Sequence, residues 1–162
     1  MTALSKPRHR AGPGWLSTHR SIVAQASRYL GAAAVLATGI AHIEQYSVDN
    51  YSTVPTIGTL FLLNFIAAIV IAVGLVAPLR RVAGRYTDAV RGVFAVAGIG
   101  LGVLSLAALF VSESSGLFGF VEHGYRMAIV VAIVAEAAAI VFLVTFLVAN
   151  GVGLQNIRRT PR

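Results

Sequence analysis

The chain has 162 residues, of which 57% are hydrophobic and only 12% charged, with a net charge of +7 and no cysteine. A soluble domain carries about a quarter charged residues, so this depletion argues against a water-facing shell and for solvation by lipid. Without cysteine there is no disulfide, thiolate-bound metal, iron–sulfur cluster or thiol nucleophile.

Residues 1–17 hold Lys6, Arg8 and Arg10 among prolines and glycines, and predict a disordered basic tail. Ser17 or Thr18 is the expected cap of the first helix, with Trp15 at the membrane interface. Residues 29–43 carry no Asp, Glu, Lys or Arg and lie between Arg28 and Glu44. Crossing about 30 Å of hydrocarbon takes about 20 residues. This first span, about 28–46, reaches that length only if Arg28 snorkels to the headgroups. It fits a cleaved signal peptide poorly, because it begins late and runs into His-Ile-Glu-Gln-Tyr without small residues for cleavage. The charge-free residues 57–79 predict a second span over about 57–78, and residues 92–112 a third over about 91–112. A fourth, about 127–149, holds a single charge, Glu136. Residues 154–162 form a second basic tail. Period-two alternation, the mark of a barrel strand, is absent. The expected fold is all-α: a four-transmembrane-helix bundle of two hairpins, forming one membrane domain over residues 18–153.

Basic residues fall on one side of these spans. Five lie at or before Arg28, four between Arg80 and Arg91, and three after the last span; of thirteen, only Arg126 is on the other side. Lys and Arg near span ends stay cytoplasmic. Both termini are therefore expected inside, in a multi-pass protein of the plasma membrane. The charge is assigned to topology and anionic headgroups, and nucleic acid is not an expected partner.

Polar chemistry is expected at the opposite, outer side. Glu44, Asp49, Glu113, Glu122, His42 and His123 lie in or beside the two outer loops. Tyr46, Tyr51, Phe118, Phe120 and Tyr125 accompany them as an expected interfacial belt. At 1.5 Å per residue, Glu136 lies about 14 Å below the outer interface, Asn64 about 10 Å, Ser105 and Thr38 about 10–12 Å, and His42 about 6 Å. One such group per helix predicts a shared polar pocket opening outward. A charged carboxylate at the midplane costs at least about 2.5 kcal/mol, and no span offers Glu136 a Lys or Arg. It must be protonated, hydrated or matched from outside the chain. As interhelical glue it would bond Asn64 or a serine; as a functional group it would serve a proton, an ion or a ligand.

His42 and His123 with Glu44, Glu113 or Glu122 are candidate metal ligands, and the two histidines are candidate haem ligands. However, His42 and Glu44 are two apart on a helix and face differently. Glu122 and His123 are adjacent in a loop, and no HxxxH or HExxH spacing occurs. Ala33, Ala37 and Ala41, the Gly98–Gly102 pair, and Ala128 with Ala132 are small-residue faces suited to close helix contact, within the chain or in a homo-oligomer.

Three runs carry a resemblance: residues 39–46 (GIAHIEQY), 55–68 (PTIGTLFLLNFIAA), and 112–143, which opens SESSGLFGFVEHGYR and ends in the Glu136 helix. Together they resemble small four-helix membrane proteins of high-GC Gram-positive (actinobacterial-type) bacteria. The matching features are His42, Gly58 with Phe61, the run from Ser112 to Glu122, and Glu136, within residues 30–148. The resemblance implies that His42, Glu122 and Glu136 belong to a family pattern, and it implies no activity. Three functions stay open. The first is a non-enzymatic protein with a pocket for a small ligand, proton or ion, or an accessory subunit of a larger membrane complex. The second is a redox protein holding haem, metal or quinone through His42, His123 and Glu136. The third is a membrane enzyme using Glu136 or Glu122 as acid or base, for which the sequence offers no nucleophile–base pair.

Overall fold

The structure, a computed structural model, describes residues 14–48, 51–54, 56–119 and 127–151. Four long helices make up the all-helical body: α1 Gly14–Ser47, α2 Ile57–Val76, α3 Thr87–Ser114 and α4 Met127–Asn150. None of the five prolines falls inside one of them. Pro13 and Pro55 precede α1 and α2, and Pro78 follows α2, where a missing N–H and a fixed φ do least harm. A helical turn at Arg80–Ala83 and a 3-10 turn at Gly84–Tyr86 join α2 to α3. The chain reverses there through Gly84 at φ +49°.

α1 begins earlier than its sequence suggests. The helix is already formed at Gly14, so Ser17 and Thr18 lie inside it and neither is its cap, and residues 14–17 of the expected tail are helical. Residues 1–13 and the basic tail at 154–162 lie outside the described residues.

The helices form a ring in which α1 touches α2 and α4, and α3 touches the same two; α1 and α3 face each other diagonally. Short connections between neighbours give an antiparallel bundle of two hairpins, α1–α2 and α3–α4. Glycines let these helices close. Leu143 of α4 is fully buried, with Gly31 of α1 and Gly98 of α3 both against its side chain. Gly102 lies against Ile140 and the Glu136 carbonyl, so the Gly98–Gly102 pair is used within the chain. The alanine stripe of α1 only partly coincides with its packing face: Ala33 is exposed, Ala37 is half-buried and Ala41 is buried, and the buried positions over this stretch are Gly31, Ala32, Val35, Thr38, Gly39, Ala41 and His42. A 3.6-residue period drifts off a strict four-residue repeat within two turns, which displaces the face.

The distribution of polarity is inverted relative to a water-soluble bundle. α1 buries Ser27, Arg28, Thr38, His42 and Gln45 while it exposes Ile22, Val23, Leu30, Leu36 and Ile40. The other helices expose valines and leucines along their whole length. A soluble monomer rarely exposes contiguous apolar patches beyond a few hundred Å², so aliphatic side chains exposed along every helix suit a lipid environment. α2, α3 and α4 are long and apolar enough to cross a membrane. α1 is not counted with them, because Arg20, Arg28, His42, Glu44 and Gln45 dilute its apolar run.

Arg20 holds the far end of α4. Its Nε donates to the Ala149 carbonyl at 2.6 Å and Nη2 to Val148 at 3.3 Å. A cation on the last carbonyls of a helix satisfies orphan acceptors and opposes the negative end of the dipole. Arg20→Ala is expected to lower stability by about 0.5–1 kcal/mol. The midpoint of reversible unfolding in mixed detergent–SDS micelles measures it, and an unchanged midpoint would mean that the contact is not maintained.

Candidate functional site

Each helix contributes a polar side chain to one cavity, among them His42 from α1, Asn64 from α2, Ser105 from α3 and Glu136 from α4. The cavity has a volume of about 350 Å³. The helical period accounts for the α1 contribution, since Thr38, His42 and Gln45 stand at i, i+4 and i+7 on one buried face.

His42 is the centre of the arrangement. Its Nδ1 lies 2.9 Å from the Thr38 carbonyl oxygen, which can only accept, so Nδ1 carries the proton. In the neutral ring Nε2 then accepts, and the Ser105 hydroxyl lies 3.1 Å from it as donor. Glu136 Oε1 approaches Nε2 at 3.9 Å, and the Glu136 carboxyl also reaches the Ser105 hydroxyl. Carboxyl, hydroxyl and imidazole thus form a continuous chain. Two oxygens remain without a hydrogen-bond partner among the described residues, Glu136 Oε1 and Asn64 Oδ1. Both belong to side chains that line the cavity. A buried polar atom left unpaired costs about 1–3 kcal/mol, so this pair marks where a ligand's polar end would sit.

The walls are apolar, with Leu60, Phe61, Leu63 and Ala67 from α2 and Leu101, Leu104 and Leu109 from α3. Leu60, Leu63 and Leu104 are also exposed on the bundle surface, Leu104 at 71%. The cavity therefore opens sideways, between α2 and α3, onto the apolar flank. At its outer end, where the sequence predicts a mouth, the cavity is bounded by Ile57, Ser112, Leu117 and Ile129, with Tyr51 packed against Phe61. Tyr51 is 3% exposed and stacks on Phe61, which meets the His42 ring edge-on, each pair 5.1 Å apart. Tyr51 is thus packed into the bundle end and not part of an interfacial belt; Phe118 is exposed. Phe120 and Tyr125 lie outside the described residues.

The remaining expected site residues divide as follows. Thr38 is buried but does not line the cavity; its hydroxyl bonds the Ala34 carbonyl, and its own carbonyl orients His42. Glu44 is exposed on the opposite side of α1 from His42, and Glu113 is half-buried at the end of α3. His123 and Glu122 lie outside the described residues. No group of three His, Cys, Asp or Glu that could hold a metal ion occurs among the described residues. Haem or metal ligation by His42 Nε2 would displace the Ser105 hydroxyl, while Nδ1 stays on the Thr38 carbonyl. The sequence reading overlooked Gln45 and Ser112, which also line the cavity. Gln45 was detectable, since it stands one helical turn beyond His42.

No family model, curated protein or solved structure matches the chain.

Proposed function

We propose that this is a four-span protein of the plasma membrane with both termini inside, related to the small four-helix actinobacterial-type membrane proteins it resembles. In this reading it binds a lipophilic small molecule bearing a hydroxyl group. Supporting four spans, the polar residues of α1 point inward while its lipid-side face is aliphatic. Supporting the orientation, twelve of thirteen basic residues lie on one side of the spans.

The observation that carries the ligand class is the pair of unpartnered oxygens in an otherwise apolar cavity. A hydroxyl both donates and accepts, so it can donate to Asn64 Oδ1 while accepting from a protonated Glu136, or donate to Glu136 Oε1 when the carboxyl is ionised. A ketone or quinone only accepts. The sideways opening admits such a molecule from the bilayer, and a cavity of about 350 Å³ is within the range of small-molecule sites. The test uses 1-nonanol and nonyl methyl ether as matched probes on purified protein. The alcohol is expected to raise the Tm of wild type more than the ether does, and the difference is expected to vanish in Ala67→Trp, where the indole occupies the cavity. Equal responses to both probes, or an undiminished difference in Ala67→Trp, would overturn the reading.

One observation favours a second reading. Ser105 and His42 form a hydroxyl–imidazole pair, which the sequence did not reveal, and both line the cavity. The pair has the hydrogen bond of a nucleophile and its base. The acid, however, lies on the same side of the ring as the serine, while a backbone carbonyl orients the other nitrogen. Labelling of Ser105 by a fluorophosphonate, lost in His42→Ala, would favour a hydrolase over a binding protein.

A further inference from the structure

At the other end of the bundle lies a second group of polar atoms that the pocket does not use. Arg28 of α1 is 7% exposed, and its Nε and Nη1 have no hydrogen-bond partner. Its guanidinium stacks over the Tyr29 ring, 4.5 Å from the centroid, which occupies a face and leaves the donor edge free. Arg91 of α3 also has a buried, unpartnered Nε. Arg28 and Tyr29 of α1, with Arg80 and Asp88, lie within electrostatic reach of Arg91. Neither Arg28 nor Arg91 makes an ion pair among the described residues. Two like charges held together with unmet donors is an unstable arrangement unless an anion completes it.

Depth narrows the choice of anion. Arg28 stands nineteen residues before Ser47 on α1, about 28 Å down the helix axis. That is close to the full thickness of the hydrocarbon, so Arg28 reaches the opposite headgroup layer. Guanidinium edges match phosphoryl oxygens in pairs. The Tyr29 ring on which the guanidinium stacks is about half exposed, which offers an apolar surface for an acyl chain. We infer that Arg28 and Arg91 form a binding site for a phosphoryl anion at the end of the bundle where α2 turns into α3. The phosphoryl group can come from an anionic phospholipid or from free phosphate.

The site is tested on the full chain in detergent by native mass spectrometry and by competition. The probes are short-chain phosphatidylglycerol, short-chain phosphatidylcholine and inorganic phosphate. Wild type is expected to retain one phosphatidylglycerol and to hold phosphatidylcholine more weakly. Arg91→Gln and Arg28→Gln are each expected to weaken retention about tenfold or more. Arg81→Gln, an exposed arginine on the neighbouring turn, is expected to leave it unchanged. Should inorganic phosphate compete at equal concentration, the site takes the free anion; should it fail to compete, the lipid is the ligand. Retention that is the same in wild type, Arg28→Gln and Arg91→Gln, or that falls equally in Arg81→Gln, would overturn the site. If Arg28→Gln does not fold, Arg91→Gln alone carries the comparison.

Discussion

Gly39→Leu is expected to push α1 off α2 and to lower the stability of the bundle by about 3 kcal/mol. A Cβ at position 39 would stand 2.7 Å from the Ala68 Cβ, with the Phe65 ring and Cα at 3.5 and 3.6 Å. Ala68 is fully buried and has no rotamer through which to yield, so the backbones must separate. Gly98→Ala makes the useful contrast. Its Cβ would meet the Leu143 Cδ1 at 2.6 Å, but that atom ends a side chain that can turn, and the expected loss is nearer 1 kcal/mol. At Gly100 nothing lies within 4 Å, and Gly100→Ala should be neutral or slightly stabilising through helix propensity. The three unfolding midpoints in SDS should therefore rank Gly39→Leu below Gly98→Ala below Gly100→Ala. A Gly39→Leu protein as stable as Gly100→Ala would disprove the close approach of α1 and α2. Because His42 lies one turn beyond Gly39, the same substitution should also abolish the difference between nonanol and its ether.

The ranking depends on contacts that the sequence could only suggest. Helix positions were legible because charge is so scarce that its few occurrences bracket the spans. The limits of α1 were not, since its start depends on backbone geometry around Gly14 and no strong capping residue signals it. The polar pocket was legible in outline, because Asn64, Ser105 and Glu136 each interrupt an apolar run, and an isolated polar residue there needs a partner. Its direction was not. Whether a cavity opens along the axis or through the flank depends on how far α2 and α3 diverge, and on where the segment after α1 folds back. Tyr51 looked like one more interfacial aromatic; only its contact with Phe61 shows that it packs into the bundle. The Ser105–His42 bond joins residues 63 positions apart, and nothing local in either stretch announces it.

Glu136→Leu is the substitution that separates glue from site. If Glu136 existed to hold helices together, its loss would leave a gap in the hydrogen-bond chain and lower stability. The geometry argues for the opposite outcome. Glu136 Oε1 has no hydrogen-bond partner and His42 Nε2 is 3.9 Å away, so among the described residues the carboxyl is held only through the Ser105 hydroxyl, which keeps its bond to His42 when Glu136 is gone. Leucine has a similar volume and needs no partner, so the bundle should be as stable as wild type, or more stable by up to about 1–3 kcal/mol. Ser105→Ala should behave differently. It removes the donor from a buried imidazole nitrogen and should cost about 1–3 kcal/mol. The alcohol-dependent rise in Tm should be lost in Glu136→Leu even though the protein is no weaker. A site kept at the expense of stability behaves in this way, because its unpaired atoms are reserved for a ligand. A drop of several kcal/mol in Glu136→Leu, with the alcohol response of the remaining folded protein intact, would instead assign Glu136 to the packing of α4 against α1 and α3.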